Sequence, residues 1–246
     1  MSDRRTAIVT GAASGIGAAI ARRLHADGFR LLLTDLEADR LEPVVKEIPD
    51  CATHTGDLSV VGSGEELVGL AMDTWGRLDV LVNNAGGGII KPTLEHTEET
   101  LQATIDRNLW TAIRCTLAAI PVMRENRYGR VVNTGADSVR NGVPGHAIYN
   151  AAKGGVHAMA RGFAKEFARD GITFNTVAPC MVLTDEVQLM WDEKPDFIQP
   201  FLDVIPMGRP ATTAEVASMI AYLASEDAGF ITGQVIGVNG GTNFLG

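Results

Sequence analysis

The segment Thr10-Gly11-Ala12-Ala13-Ser14-Gly15-Ile16-Gly17 follows a short aliphatic run and precedes a stretch with helical spacing over residues 16–27. Glycines at such a junction permit a tight strand-to-helix turn and a close approach of other backbone. The turn also leaves the first N–H groups of a helix exposed, with a partial positive charge that suits an anionic group such as a pyrophosphate. A helix-capping turn is the simpler alternative, and the rest of the chain has to choose between them.

The flanking pattern repeats along the chain. Strand-like runs fall at 7–10, 30–34, 52–55, 80–82, 130–134, 173–177 and 234–238. Helical spacing fills intervals such as 16–27, 65–75 and 151–170. This alternation predicts an α/β fold, a doubly wound parallel sheet with helices on both faces. The runs are continuously apolar, as strands covered on both sides should be. No repeat or low-complexity linker interrupts residues 1–246, which read as one domain. Residues 184–210 stand apart: they carry Pro195, Pro200, Pro206 and Pro210 among acids, Met190, Trp191, Phe197 and Phe201. An insert of this kind is expected to be a substrate lid.

Asp35 ends the second run, about 20 residues beyond the glycines. A carboxylate there accepts hydrogen bonds from an adenosine ribose and repels a 2′-phosphate. Neither Ala13 nor Ser14 is basic, so NAD is expected over NADP. Asp57-Leu58 follows the third run, where a carboxylate could meet an adenine amino group or lie in a plain surface loop.

Net charge is −9 and 46% of residues are apolar. The acidic balance argues against nucleic acid as a partner. No apolar run approaches the ~18 residues of a membrane span. The first strand begins too early to leave room for a signal peptide. Cys51, Cys115 and Cys180 show neither disulfide nor metal spacing. A cytoplasmic protein without a metal is expected.

Tyr149 and Lys153 are four residues apart in a helical stretch, hence on one face. A cation ~4 Å from a phenol contributes roughly 4 kcal/mol at an effective dielectric of ~20. Before desolvation, that lowers the phenol by up to about 3 pH units from its usual ~10. Such a tyrosine is a proton donor and acceptor near neutral pH. A solvated helix face carries the same pair by chance.

Taken in order, Thr10 to Gly17, Asp57, Asn83-Asn84-Ala85-Gly86, Asn108, Tyr149 to Lys153, Asn175-Thr176-Val177-Ala178-Pro179, Thr184, Gly233-Gln234 and Val238-Asn239-Gly240-Gly241 resemble the short-chain dehydrogenase/reductase family over the whole length. The resemblance implies a single Rossmann-like domain with a seven-stranded sheet, usually assembled as a homotetramer. It implies Tyr149 as acid/base, Lys153 as its tuning cation and ribose ligand, and Asn108 as holder of a relay water. Asn108 could instead bond backbone on a long helix. Around NAD it implies Gly11, Ser14, Gly15, Ile16, Gly17, Asp35, Asp57, Leu58, Asn84, Ala85, Gly86, Tyr149, Lys153, Pro179, Val182 and Thr184, the last two at the nicotinamide carboxamide. The reaction implied interconverts a secondary alcohol and a ketone. A non-catalytic dinucleotide-binding scaffold of the same fold is the alternative.

Two positions depart from the family pattern. A serine is expected 13 residues before the tyrosine, and this chain has Ala136. Ser138 is the nearest hydroxyl. In an extended chain it would share the side of Ala136, about 6.5–7 Å further on. Ser138 could therefore substitute after a bend; the serine could have been replaced to weaken catalysis; or the chain could be a naturally weak or non-catalytic member. Losing one such donor costs roughly 10²–10³ in turnover. The second departure is Cys180 in place of a glycine, which either narrows the pocket or packs beside it. For the substrate, Ala136, Ser138, Arg140, His146 and Tyr149 are the candidate contacts. Arg140 could attract an anionic group or lie on the surface, and His146 could contact substrate or face solvent. Family members acting on cyclic alcohols, dihydrodiols and 3-hydroxyacyl thioesters all resemble the chain.

Overall fold

The structure is a computed structural model that describes residues 4–244. The central strands are β1 (Thr6–Thr10), β2 (Arg30–Asp35), β3 (Ala52–Thr55), β4 (Val80–Asn83), β5 (Gly129–Thr134) and β6 (Ile172–Pro179). Two short strands, β7 (Val182–Leu183) and β8 (Ala211–Thr212), pair only with each other, and β9 (Val235–Val238) completes the main sheet. Its seven strands run parallel in the order β3-β2-β1-β4-β5-β6-β9. All seven strand-like runs of the sequence are members of it.

Side-chain alternation divides each strand between two cores. Ala7, Val9, Leu31, Leu33, Val80 and Val82 face α1 (Gly15–Ala26) and α10 (Thr213–Ala224), packing on Ile20, Leu24, Val216 and Ile220. The intervening Ile8, Leu32 and Leu81 face the other way, towards α3 (Ser63–Trp75), α5 (Thr111–Glu125) and α7 (Ala147–Phe167). Each fully buried Leu or Ile contributes roughly 1.5–3 kcal/mol. Helix α2 (Ala38–Glu47) lies beyond β2 and admits Pro43.

The order of strands reverses between β1 and β4, and there the carboxyl ends of the strands open a crevice. Helix α4 (Glu98–Ile105), capped by Thr97, enters α5 through a π-helical turn, Asp106–Trp110. The proline-rich insert is more ordered than a loop. It forms α8 (Asp185–Glu193) and α9 (Pro195–Asp203), bracketed by the β7–β8 pair. Ile198, Leu202 and Ile205 are its small core, packed with Cys180, Met181 and Trp191. Among the described residues no helix is long and apolar enough to cross a membrane.

Candidate active site

A cavity of about 590 Å³ occupies the crevice. Its floor is the glycine turn. Gly11 has φ +62°, and a Cβ on it would lie 2.8 Å from the Ala85 Cα. A Cβ on Gly17 would collide with the Gly11 carbonyl oxygen. This is backbone packed as closely as glycine allows, with the N-terminus of α1 facing the space. The cradle fits a pyrophosphate. Thr10 Oγ1 accepts the N–H groups of Asn84 and Ala85, both at 2.9 Å, which ties β1 to the turn after β4.

At the adenosine end, Asp35 Oδ2 accepts the Ala13 N–H at 3.0 Å and Oδ1 the Leu36 N–H at 2.8 Å. Each oxygen keeps a further lone pair for a ribose hydroxyl. Asp57 Oδ1 accepts the Ser59 N–H, and Leu58 is buried beside it. Arg40, on α2, also lines the cavity, its Nη2 3.5 Å from Ser14 Oγ. This basic group reaches the phosphate turn from α2, outside the Ala13–Ser14 positions that sequence reasoning considers. Arg107 and Thr111 of the α4–α5 junction line the same cavity and carry no sequence signal.

At the other end stand Tyr149 and Lys153, in the first two turns of α7. Lys153 is buried; its Nζ donates to the Thr134 carbonyl at 2.8 Å and lies 5.9 Å from the Tyr149 ring centroid. Burial pushes the Tyr149 phenol up to about 12 and pulls the Lys153 ammonium down to about 8. Burial thus opposes the lowering that the spacing of the pair predicts. Desolvation outweighs the ammonium, which is drawn towards Thr134.

Asn108 sits on the π-helical turn, a device that re-aims side chains at functional sites. Its Nδ2 donates to Gly87 O (3.0 Å) and Thr104 O (2.9 Å), and its Oδ1 accepts the Gly87 N–H (3.1 Å). Its side chain thus bonds backbone. A Cβ on Gly86 would lie 2.6 Å from Asn108 Oδ1 and 3.2 Å from Lys153 Nζ, so Gly86 admits no larger residue.

Ser138 departs from the extended geometry. Strand β5 ends at Thr134, and Ser138 opens a short helix, α6 (Ser138–Asn141). Alternation along an extended chain does not apply there. Ser138 Oγ donates to Asn150 Oδ1 at 2.6 Å, and Asn150 Nδ2 returns a bond to Ser138 O at 2.9 Å. The bend follows from Asp137, a buried carboxylate that accepts from Asn239 Nδ2, Asn141 Nδ2 and Thr242 Oγ1. Ala136 is buried, its N–H donated to His157 Nε2 at 3.3 Å. His157 had no place in the sequence reading.

Arg140 turns to β9 and donates to Val235 O at 2.6 Å. His146 packs edge-on to Tyr149, ring centroids 6.1 Å apart, with Nδ1 2.9 Å from Pro144 O. Pro179 ends β6 and its carbonyl accepts the Asp137 N–H. Cys180 packs on the core of α8 and α9, and burial pushes its thiol up. Val182 is buried in β7. Thr184 caps α8, accepting the Val187 N–H at 3.3 Å, and its Cγ2 would lie 3.2 Å from a Cβ on Gly15. The cavity thus gathers Gly11, Ser14, Ile16, Gly17, Asp35, Asp57, Leu58, Asn84, Ala85, Gly86, Tyr149, Lys153 and Thr184; Gly15, Pro179, Val182, Ala136, Ser138, Arg140 and His146 are not part of its lining.

A glycine-cradled crevice ending in a Tyr–Lys pair defines a nicotinamide-dependent Rossmann-type oxidoreductase. The family model described as enoyl-(acyl carrier protein) reductase matches residues 11–243. The 2,3-dihydroxy-2,3-dihydro-p-cumate dehydrogenase of Pseudomonas putida is 50% identical over 99% of this chain and 96% of its own length. The (2S)-[(R)-hydroxy(phenyl)methyl]succinyl-CoA dehydrogenase subunit BbsD of Thauera aromatica is 36% identical over 99% and 98%. Among solved structures, levodione reductase superposes with a TM-score of 0.89 at 31% identity, covering 96% of each chain. The chain belongs to the short-chain dehydrogenase/reductase family and is an oxidoreductase acting on CH–OH donors.

Proposed function

We propose that this protein is an NAD-dependent dehydrogenase that oxidises a ring-borne secondary alcohol of a vicinal diol, with Tyr149 as the base. The observation that carries the reading is the Tyr149–Lys153 pair at one end of a crevice whose other end holds Asp35. The diol comes from the 50% identical relative, whose name specifies a dihydroxy-dihydro ring acid. Bound NAD would supply the hydride acceptor. Tyr149 takes the hydroxyl proton, and Lys153 provides the positive charge that favours its phenolate and meets the nicotinamide ribose. The glycine turn and the N-terminus of α1 bind the pyrophosphate, and Asp35 holds the adenosine ribose while repelling a 2′-phosphate. Gly15, Pro179, Val182 and Thr184 complete the cofactor contacts. Asn108 fixes the Gly86–Gly87 backbone next to Lys153. Residues 184–210 act as the lid of a single-domain chain. A cytoplasmic homotetramer is the assembly we assign, supported by exposed apolar side chains such as Leu117 and Phe230.

A non-catalytic dinucleotide-binding scaffold draws support from one observation, the alanine at position 136. Assaying dinucleotide reduction with cis-dihydrodiols, simple cyclic alcohols and 3-hydroxyacyl thioesters, each with NAD and NADP, separates the two. Turnover that Tyr149→Phe lowers by roughly 10²–10⁴ supports the enzyme. Tight dinucleotide binding with no turnover of any alcohol supports the scaffold.

A further inference from the structure

Asp137 lies outside the cavity lining, yet its carboxylate joins two parts of the molecule that border the cavity. It is 1% exposed and accepts only from neutral side chains. Oδ2 takes a proton of Asn141 Nδ2 at 2.7 Å and the Thr242 hydroxyl proton, and Oδ1 takes a proton of Asn239 Nδ2 at 2.9 Å. Its own N–H donates to Pro179 O at 2.9 Å, at the end of β6. Hydrogen bonds to an ionised acceptor are roughly twice as strong as neutral ones, and a buried carboxylate that loses donors is costly.

One line of contacts runs from this carboxylate to the lid. Asn239 and Thr242 flank Gly240 and Gly241. Gly240 O accepts the Met207 N–H at 3.1 Å. A Cβ on Gly240 would lie 2.7 Å from Ile205 Cγ2, and one on Gly241 3.2 Å from Pro206 Cγ. The 239–243 turn is thus seated directly against the end of the α8–α9 insert. The second line runs to Tyr149. Ser138, next to Asp137, exchanges two hydrogen bonds with Asn150, the residue after Tyr149. The Asn150 N–H donates to His146 O at 2.7 Å, closing the first turn of α7. Val139 Cγ1 would lie 3.6 Å from a Cβ on Gly154, so α6 rests on α7 beside Lys153. Asn243 Nδ2 adds a second tie to α6, donating to Asn141 Oδ1 at 2.6 Å.

We infer that Asp137 is a positioning residue that couples the seating of the lid to the placement of Tyr149. The inference rests on the reading above, in which residues 184–210 are the lid and Tyr149 is the base. When the insert sits on the 239–243 turn, the turn keeps Asn239 and Thr242 on the carboxylate. The carboxylate fixes the start of α6, and the Ser138–Asn150 pair fixes the first turn of α7. Withdrawing the turn alone strips donors from a buried charge, so the turn and α6 move together. Tyr149 is then held in register when the insert is seated, and a misplacement of about 1 Å at a reacting group costs up to roughly 10²-fold in rate.

Hydrogen exchange and kinetics on the whole protein test the link. Thr242→Val removes one donor at nearly constant volume and lies outside the cavity lining. It should raise amide exchange at least about fivefold in both 138–150 and 198–207, with β1 and β4 unchanged. Ser138→Ala cuts the line at its other end and should loosen 138–150 alone. Asp137→Asn, which keeps the shape and exchanges an acceptor for a donor, should loosen both segments. With NAD and cis-cyclohexa-3,5-diene-1,2-diol, Thr242→Val and Ser138→Ala should each lower kcat about tenfold. The double variant should match the slower single variant, because a single line cut twice loses little more than when cut once. NADH affinity, read by cofactor fluorescence, should stay within about threefold, since the glycine cradle and Asp35 are untouched. Exchange in 138–150 unmoved by Thr242→Val, a rise that spreads equally to β1 and β4, or kcat losses that multiply in the double variant overturns the inference and leaves the dehydrogenase reading intact. No turnover of the diol by the wild type with the dinucleotide bound counts against the dehydrogenase reading, and the exchange pattern still decides whether Asp137 links the two segments.

Discussion

His157, one turn beyond Lys153 on α7, accepts the backbone N–H of Ala136 with its Nε2. That bond requires a neutral imidazole protonated at Nδ1. Burial pushes the group down to about 4, with Arg140, Lys153 and Arg161 opposing the cation and Asp137 favouring it. Free histidine titrates near ~6.5, so between about pH 6.5 and 4 the unfolded chain binds more protons than the folded one. The stabilisation is complete above pH 6.5 and is lost as pH falls towards 4, by up to about 3 kcal/mol. His157→Gln keeps an acceptor and removes the titration. Thermal melts across this window should show a shallower acid slope for the variant. Parallel slopes would contradict the assignment.

The Tyr149–Lys153 pair gives a kinetic prediction with a definite sign. Oxidation needs the phenolate, so kcat/KM should rise with pH as Tyr149 ionises. Lys153→Met removes the nearby cation at nearly constant volume. Without it the phenolate is less stable and the rising limb should move to higher pH. For charges ~6 Å apart at an effective dielectric of ~20, the displacement is on the order of 2 pH units. A pH–rate profile of both proteins checks it.

The glycine cradle makes a structural prediction. A methyl group on Gly17 meets the Gly11 carbonyl oxygen, which belongs to a turn that cannot retreat without opening the cleft. Gly17→Ala should weaken NADH binding at least tenfold, seen by cofactor fluorescence, and lower the melting temperature. Gly69, in the interior of α3 with open space where a Cβ would go, is the control: Gly69→Ala should leave NADH binding unchanged and raise the melting temperature slightly, because alanine favours a helix interior over glycine by about 1 kcal/mol.

How much of this was legible beforehand depends on the range of the interactions. The strands were readable because each is a local, continuously apolar run, and β1 to β6 and β9 fall within two residues of the expected limits. Tyr149 and Lys153 were readable because helical spacing alone brings them together. The bend that carries Ser138 away from the extended line is not legible in the sequence, because the chain direction after β5 is set by Asp137 contacts with Asn239 and Thr242, about a hundred residues on. The desolvation that pushes the Tyr149 phenol up is not legible in the sequence, because burial is a tertiary property. Arg40 was missed because its approach to Ser14 depends on how α2 packs beside β2.

The α8–α9 insert should move as a unit with its own stability. Leu202 is buried in a cluster with Ile198 and Ile205 that is separate from both main cores. Leu202→Ala removes about 2–5 kcal/mol of packing where the site cannot collapse. That loss should appear as faster hydrogen exchange across residues 185–205, with β1 and β5 amides unaffected. Exchange rising equally throughout would mean that the insert is coupled to the whole fold.

On the proposed NAD-dependent reading, two groups of opposite charge at the adenosine end set cofactor choice. Asp35 is fixed by the Ala13 and Leu36 N–H groups, so its carboxylate cannot swing away from a 2′-phosphate. Arg40 stands across the same opening beside Ser14. With Asp35 present the repulsion dominates, because the carboxylate is rigid and the guanidinium is exposed and screened. Removing the acid leaves the cation alone to meet the phosphate. Asp35→Ser should therefore lower kcat/KM with NAD by at least tenfold and raise it with NADP. Adding Arg40→Ala to Asp35→Ser should abolish the gain with NADP and leave the NAD value little changed. Steady-state kinetics with both dinucleotides on the wild type and the two variants, single and double, decide it: a gain with NADP that survives loss of Arg40 would assign the 2′-phosphate to another group lining the cleft.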